Sequence, residues 1–246
     1  MKKLQVISQK RSIKIILKAM LCMILSFMVA CASSDKKDTE SAEYLFEKAQ
    51  ELVKDERFEE AIRKLQDIKN KFPYSKLAVD AELLIADSYF NQESFPEAQA
   101  SYQLFKELHP KHIKMDYVTY KIGLSFFNQL PSTIDRDLSL ANQAISTFEI
   151  VLKDYSKSEF VQDSLKKKVE CLKMLAEKEI YIANFYFKKN NFDSAVKRYK
   201  NSLLKFGNSG FNLDSKNNAI ESAKKINNEE LIKDFSSIII EDSHKN

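Results

Sequence analysis

AQELVKDERFEEAIRKLQDIKNKFP (residues 49–73) and ADSYFNQESFPEAQASYQLFKELHP (residues 86–110) are one passage written twice, 37 residues apart. The shift superposes Ala49 on Ala86, Leu52 on Tyr89, Phe58 on Phe95 and Ala61 on Ala98. It also carries Leu65 to Tyr102, Ile68 to Phe105 and Pro73 to Pro110. Each match keeps what its position demands: small, bulky or proline. Within each copy the small residues stand 12 apart, where two antiparallel helices touch and only a small side chain fits. A period of this length marks a stack of supersecondary units, each too small to close its own core.

The pattern runs on toward the C-terminus. In a third unit Ala86 maps to Gly123 and Tyr89 to Phe126, but Ala98 maps to Ala144 and Tyr102 to Phe148, 46 residues on. Nine residues are therefore inserted between its helices, around Gln129 to Asp137. A fourth unit restores the spacing with Ala183 and Ala195, and Tyr186, Phe192 and Tyr199 take its aromatic positions. Its first helix extends backwards, because Val161, Leu165, Val169, Leu172 and Ala176 keep a three-to-four rhythm. Residues 211–241 have helical patterning but poor repeat residues, and read as a capping fifth pair. Small residue, aromatic three later, small residue again and a closing proline resemble the tetratricopeptide repeat. Three glycines and four prolines in 246 residues are too few for a turn-rich β fold. The expected fold is all-α, an α-α superhelix of about five helix pairs, with units near 42–75, 79–112, 116–157, 158–208 and 211–241.

Ahead of the repeats lies a different grammar. Six cationic residues and no acidic one precede or enter the apolar run Ala19 to Ala30, and Cys31 follows it. A charged start, a short apolar segment and a small residue before the cut form a secretory signal. Met28-Val29-Ala30-Cys31 reads as a lipobox, so residues 1–30 are expected to be removed and Cys31 to become a lipidated, palmitate-bearing N-terminus. The run is too short for the roughly 20 residues of a spanning helix. Ala32 in place of Asp leaves out the inner-membrane retention signal and points to the outer membrane, periplasmic face. Residues 31–40 form a tether and 41–246 the repeat domain. Without the leader, 33 basic residues face 35 acidic ones, which implies no nucleic-acid partner. Cys31 and Cys171 alone survive maturation, so no internal disulfide supports the fold.

No signature of catalysis is present: no Gly-rich phosphate loop, no His-Glu-x-x-His, no nucleophile elbow. His109 and His112 flank Pro110 with no third ligand near, and read as solvated loop histidines, with no metal or other cofactor. Asp135 and Asp137 read as loop carboxylates, one capping the helix that starts near Leu138. Cys171, among Val169, Leu172 and Leu175, reads as a small core residue. Binding remains, and the chain is expected not to be an enzyme. First helices build the concave wall of such stacks, and their wall positions hold Phe46, Gln50 and Val53, then Leu83, Asp87 and Phe90, then Tyr117, Tyr120 and Phe127. Phe90 and Phe127 fit inter-helix packing equally well. Phe46, Gln50 and Leu84 stand where a carboxylate clamp needs Lys and Asn, so an apolar or aromatic peptide is the expected guest. Charge is split: residues 41–110 carry 9 basic and 14 acidic side chains, residues 158–210 carry 11 and 6. The basic half is either a solvated face or a docking surface for an acidic partner.

Three further stretches narrow the choice: Phe72-Pro73-Tyr74-Ser75; Pro110-Lys111-His112 leading to Asp116-Tyr117-Val118-Thr119-Tyr120; and Asp135-Arg136-Asp137 in the insert. With the lipobox and five helix pairs, they resemble the BamD family, lipoproteins of the outer-membrane β-barrel assembly machinery. That resemblance implies a non-enzymatic scaffold, associated with the machinery's other lipoproteins, whose C-terminal repeats dock a POTRA domain of a BamA-like barrel subunit. Arg198, with Lys197 beside it, matches the family's arginine at that surface. The N-terminal repeats would receive unfolded outer-membrane proteins. The alternative is another tetratricopeptide lipoprotein, such as a secretin pilotin or a cell-division scaffold. A lytic transglycosylase would need a catalytic domain for which the chain has no room.

Overall fold

The computed structural model describes residues 41–240, so Cys31, the leader and the tether lie outside the described residues. Ten helices follow one another: α1 (Ala42–Lys54), α2 (Phe58–Lys71), α3 (Lys76–Asn91), α4 (Phe95–Leu108), α5 (Met115–Asn128), α6 (Ser139–Asp154), α7 (Val161–Lys188), α8 (Phe192–Phe206), α9 (Leu213–Lys225) and α10 (Glu229–Ser236). The described residues contain no strand and no helix long and apolar enough to cross a membrane. Each helix packs on the next, and α1 also meets α3, α5 meets α7 and α7 meets α9. That double adjacency is the superhelix: pairs stack, and first helices line up beside first helices.

Small residues sit where the helices cross. Ala49, Ala61, Ala86, Ala98, Ala144, Ala183 and Ala195 are fully buried. Gly123 takes this demand furthest, since a Cβ there would lie 2.6 Å from the ring of buried Phe148. No side chain fits between α5 and α6 at that point.

Four of the pairs share one turn. Glu56, Glu93, Asn190 and Asn227 have φ of 58°, 63°, 58° and 53°, and each sits mid-turn between the two helices of its pair. The residue after each donates its N–H five residues back: Arg57 to Leu52 at 2.8 Å, Ser94 to Tyr89 at 2.9 Å, Asn191 to Tyr186 at 3.0 Å, Asn228 to Ala223 at 3.0 Å. This closes the first helix by the six-to-one bond of a Schellman turn. The third pair departs, its helices joined by residues 129–138. There Asp137 accepts from the backbone N–H of Ser139 at 3.0 Å and from its hydroxyl at 2.7 Å. The cap comes from one residue outside the N-cap, because Leu138 occupies that place and is buried.

α7 is the spine. Its 28 residues give Cys171 to the central core, around Phe105, Phe126 and Phe148, and Ile180 and Ala183 to the C-terminal core, around Tyr199 and Phe235. Its three-to-four rhythm forms a helix, but Leu165 and Val169 are 44% and 54% exposed. The reason is length: α8 has 15 residues and covers the C-terminal half of α7. The chain then crosses α7 at Gly210, which abuts the backbone of Ala176 and Glu177.

Candidate functional site

The first turns of α5 hold the densest polar network. Tyr117 Oη donates to Asp87 Oδ1 at 2.7 Å, and Tyr102 Oη donates to the same oxygen. The two rings meet edge-on with centroids 6.4 Å apart. Tyr120 Oη donates to Asp163 Oδ2 at 2.6 Å and its ring stacks on Phe160 at 4.7 Å. Asp116 Oδ2 accepts from the Ser158 hydroxyl at 2.7 Å. The Asp-Tyr stretch is thus a hub: one segment of the third pair is bonded to the second pair, to the fourth, and to the turn that leads into the fourth.

That hub redistributes the expected groove. Asp87, Tyr117 and Tyr120 are half-buried and bonded to neighbouring helices. Leu83 is 4% exposed and belongs to the central core. Phe46 is half-buried against the N-terminal core, Val53 is half-buried and Gln50 is exposed. Phe90 and Phe127 are each roofed by a lysine of the following pair: Lys121 Nζ lies 3.6 Å from the Phe90 centroid and Lys167 Nζ lies 4.4 Å from that of Phe127. Burial pushes the Lys121 ammonium below its ordinary range, while the nearby Asp87 carboxylate opposes the shift.

Burial first, and the adjoining carboxylates second, push the Tyr102 and Tyr117 phenols well above their usual range; burial and the bond to Asp163 do the same for Tyr120. A phenol held neutral in the fold contributes stability that is complete below the unfolded value near 10 and is lost as pH rises past it. For fully buried Tyr102 the expected loss is about 1.4 kcal/mol per pH unit above that value. Solvent screens Tyr120, which contributes less. Urea melts between neutral and alkaline pH check this: Tyr102→Phe is expected to flatten the alkaline slope by about one proton.

At the other end, Arg198 on α8 spans to Glu179 on α7, with Nη1 3.1 Å and 3.3 Å from the two carboxylate oxygens. The arginine side chain is 42% exposed and the glutamate 20%, so the guanidinium is tethered yet accessible. Lys197 beside it is exposed. The two histidines differ from the sequence reading: His109 Nε2 lies 2.7 Å from Glu82, and both rings pack on Phe105 at 4.8 Å and 5.1 Å. Pro110 turns the chain back onto α4, which is why these rings leave solvent. Cys171 is fully buried, and burial pushes its thiol up to about 11. Among the described residues no three His, Cys, Asp or Glu side chains could hold a metal ion.

The family model YfiO, described as outer membrane lipoprotein, matches residues 38–234. An outer membrane protein assembly factor BamD of Neisseria gonorrhoeae is 26% identical over 214 residues, covering 80% of this chain and 79% of the relative. The protein of that name from Vibrio cholerae is 25% identical over 186 residues, 72% of this chain and 77% of the relative. That of Rickettsia prowazekii is 25% identical over 188 residues, 76% and 74%.

Proposed function

This chain belongs to the YfiO family of outer membrane lipoproteins, and on that premise we propose that it is a non-enzymatic scaffold of the outer-membrane β-barrel assembly machinery. The observation that carries the reading is the match to BamD proteins along some four-fifths of the chain, 80% in the Neisseria gonorrhoeae comparison. In this reading Cys31 carries the lipid that ties the chain to the periplasmic face of the outer membrane. The C-terminal pairs dock a POTRA domain of a BamA-like subunit through Arg198 and Lys197, alongside other lipoproteins of the machinery. Unfolded barrel proteins enter along the first helices, where Phe46, Gln50 and Val53 remain available.

Affinity purification of the full chain from membranes, with partners identified by mass spectrometry, tests the proposal. A BamA-like barrel subunit as the principal partner is the expected result; a secretin or peptidoglycan machinery in its place would overturn it. Arg198→Glu is expected to weaken POTRA binding at least tenfold, the scale of losing one well-placed charge contact. The exposed pair with Glu179 is worth only about 0.2–1 kcal/mol, so the thermal midpoint should fall by no more than a few degrees. Unchanged affinity, measured by titration of the two purified proteins, would remove the arginine from the interface.

A further inference from the structure

The face of α7 that reaches back to α5 through Asp163 and Lys167 runs on, at three- and four-residue steps, through Met174, Lys178, Tyr181, Phe185 and Lys188. α5 has 14 residues and α7 has 28. Past Asn128, therefore, nothing on α5 is left to meet that face. Tyr181 and Phe185 are each 54% exposed as a result. Two aromatic rings one turn apart on a first helix are left uncovered, in the pair where the sequence reading had placed no groove residue.

The charges around them are mostly cationic. Lys189 Nζ lies 6.0 Å from the Phe185 centroid, and Lys188 is exposed one turn beyond. At the other end Lys178 Nζ donates to the carbonyl of Arg136, which brings the tip of the third-pair insert against this face. The insert's acids are already engaged: Asp135 with Thr133 and Asp137 with Ser139. Arg136 is exposed and has no ion pair among the described residues. Glu177, the nearest acid on the helix, leans toward Lys173 at 3.9 Å.

We propose that Tyr181 and Phe185, framed by Lys178, Lys188, Lys189 and the Arg136 loop, form a second polypeptide-docking surface. Its occupant is an extended, unfolded segment whose aromatic side chains are flanked by carboxylates on the same side. This rests on the reading of the chain as a receiver of unfolded barrel proteins, and it adds an aromatic contact in the fourth pair to those of the first three. An extended guest turns every second side chain to the same side, so a segment lying along α7 can lay aromatic side chains on the rings and, on that same side, set carboxylates near its ends against Lys178 and Lys188. Aromatic contacts give such a surface its affinity, and the lysines select the sign of the guest.

The test is fluorescence anisotropy with a short labelled Asp–Phe peptide whose every second position reads Asp, Phe, Phe, Asp, titrated with the full mature chain. Tighter binding than to the matching Lys–Phe peptide, by about tenfold or more, is expected. Tyr181→Ser with Phe185→Ser should weaken the Asp–Phe peptide about tenfold. Lys188→Glu with Lys189→Glu, at the exposed helix end where folding is not at stake, should do the same and reverse the preference. Tyr44→Ser, an exposed tyrosine of the first pair, should change nothing. Equal affinity for both peptides, or unchanged binding by the Tyr181 and Phe185 variant, would overturn this inference. If wild-type chain binds the peptide but no unfolded barrel protein, the proposed function fails and the surface stands.

Discussion

Asp87→Ala is expected to cost about 2–4 kcal/mol of folding stability, because two tyrosine hydroxyls lose their common acceptor and each unmatched buried group costs about 1–3 kcal/mol. Tyr102 is fully buried and Tyr117 half-buried, so water can satisfy the second and not the first. Asp87→Asn keeps an acceptor oxygen in the same place and should lose far less. Urea unfolding of the three proteins checks the order wild type, Asn, Ala. If Asp87 were only a groove residue, alanine would weaken peptide binding and leave the unfolding midpoint alone. A midpoint unchanged by alanine would show that the hub does not join the pairs.

Gly210→Ala should be as damaging, but locally. Gly210 has φ +79°, and a Cβ there would come within 2.8 Å of Glu177 N and 2.9 Å of the Ala176 carbonyl carbon. Both are backbone atoms of α7, in mid-helix, and cannot yield. The left-handed conformation alone costs a non-glycine residue about 1–2 kcal/mol, and forced displacement adds about 1–3 kcal/mol. The change should release α9 and α10 from the stack before the rest opens. Hydrogen exchange reads this directly: protection within residues 213–236 should fall by roughly two orders of magnitude while α3 to α6 keep theirs. Uniform loss across all ten helices would mean that the stack opens as one unit.

Much of this architecture was legible in the sequence, for a physical reason. Two helices cannot cross closely without a small residue, so Ala49, Ala61, Ala86 and Ala98 had to recur at a fixed interval, and Gly123 and Ala144 betrayed the insert by breaking it. The turns were not legible. Glu56 and Glu93 adopt a conformation that glycine or asparagine ordinarily supplies, and the bond that holds them is made by backbone atoms alone. The same turn at Asn227 shows the fifth pair to be a regular one, although its sequence looked poor. The bonds made by the expected groove residues were not legible because hydroxyl–carboxylate partners lie far apart in the chain: Asp87 is 30 residues from Tyr117, and Asp163 is 43 from Tyr120. Spacing along one helix put those side chains on the inner wall, and it could not say that neighbouring helices would occupy them. The exposure of Leu165, Val169, Tyr181 and Phe185 has a related origin. It follows from α7 outrunning α5 and α8, a mismatch of lengths between elements rather than a property of any one of them.

The central claim is that this chain is a scaffold that holds a barrel-forming subunit. Calorimetric titration of the mature chain with the purified POTRA domains of the BamA-like subunit from the same organism addresses it most directly. Saturable one-to-one binding with a dissociation constant of about 10 μM or tighter, roughly 7 kcal/mol of binding free energy, and weakened by Arg198→Glu, is the predicted result. No heat of binding at any temperature, with both proteins folded, would contradict it.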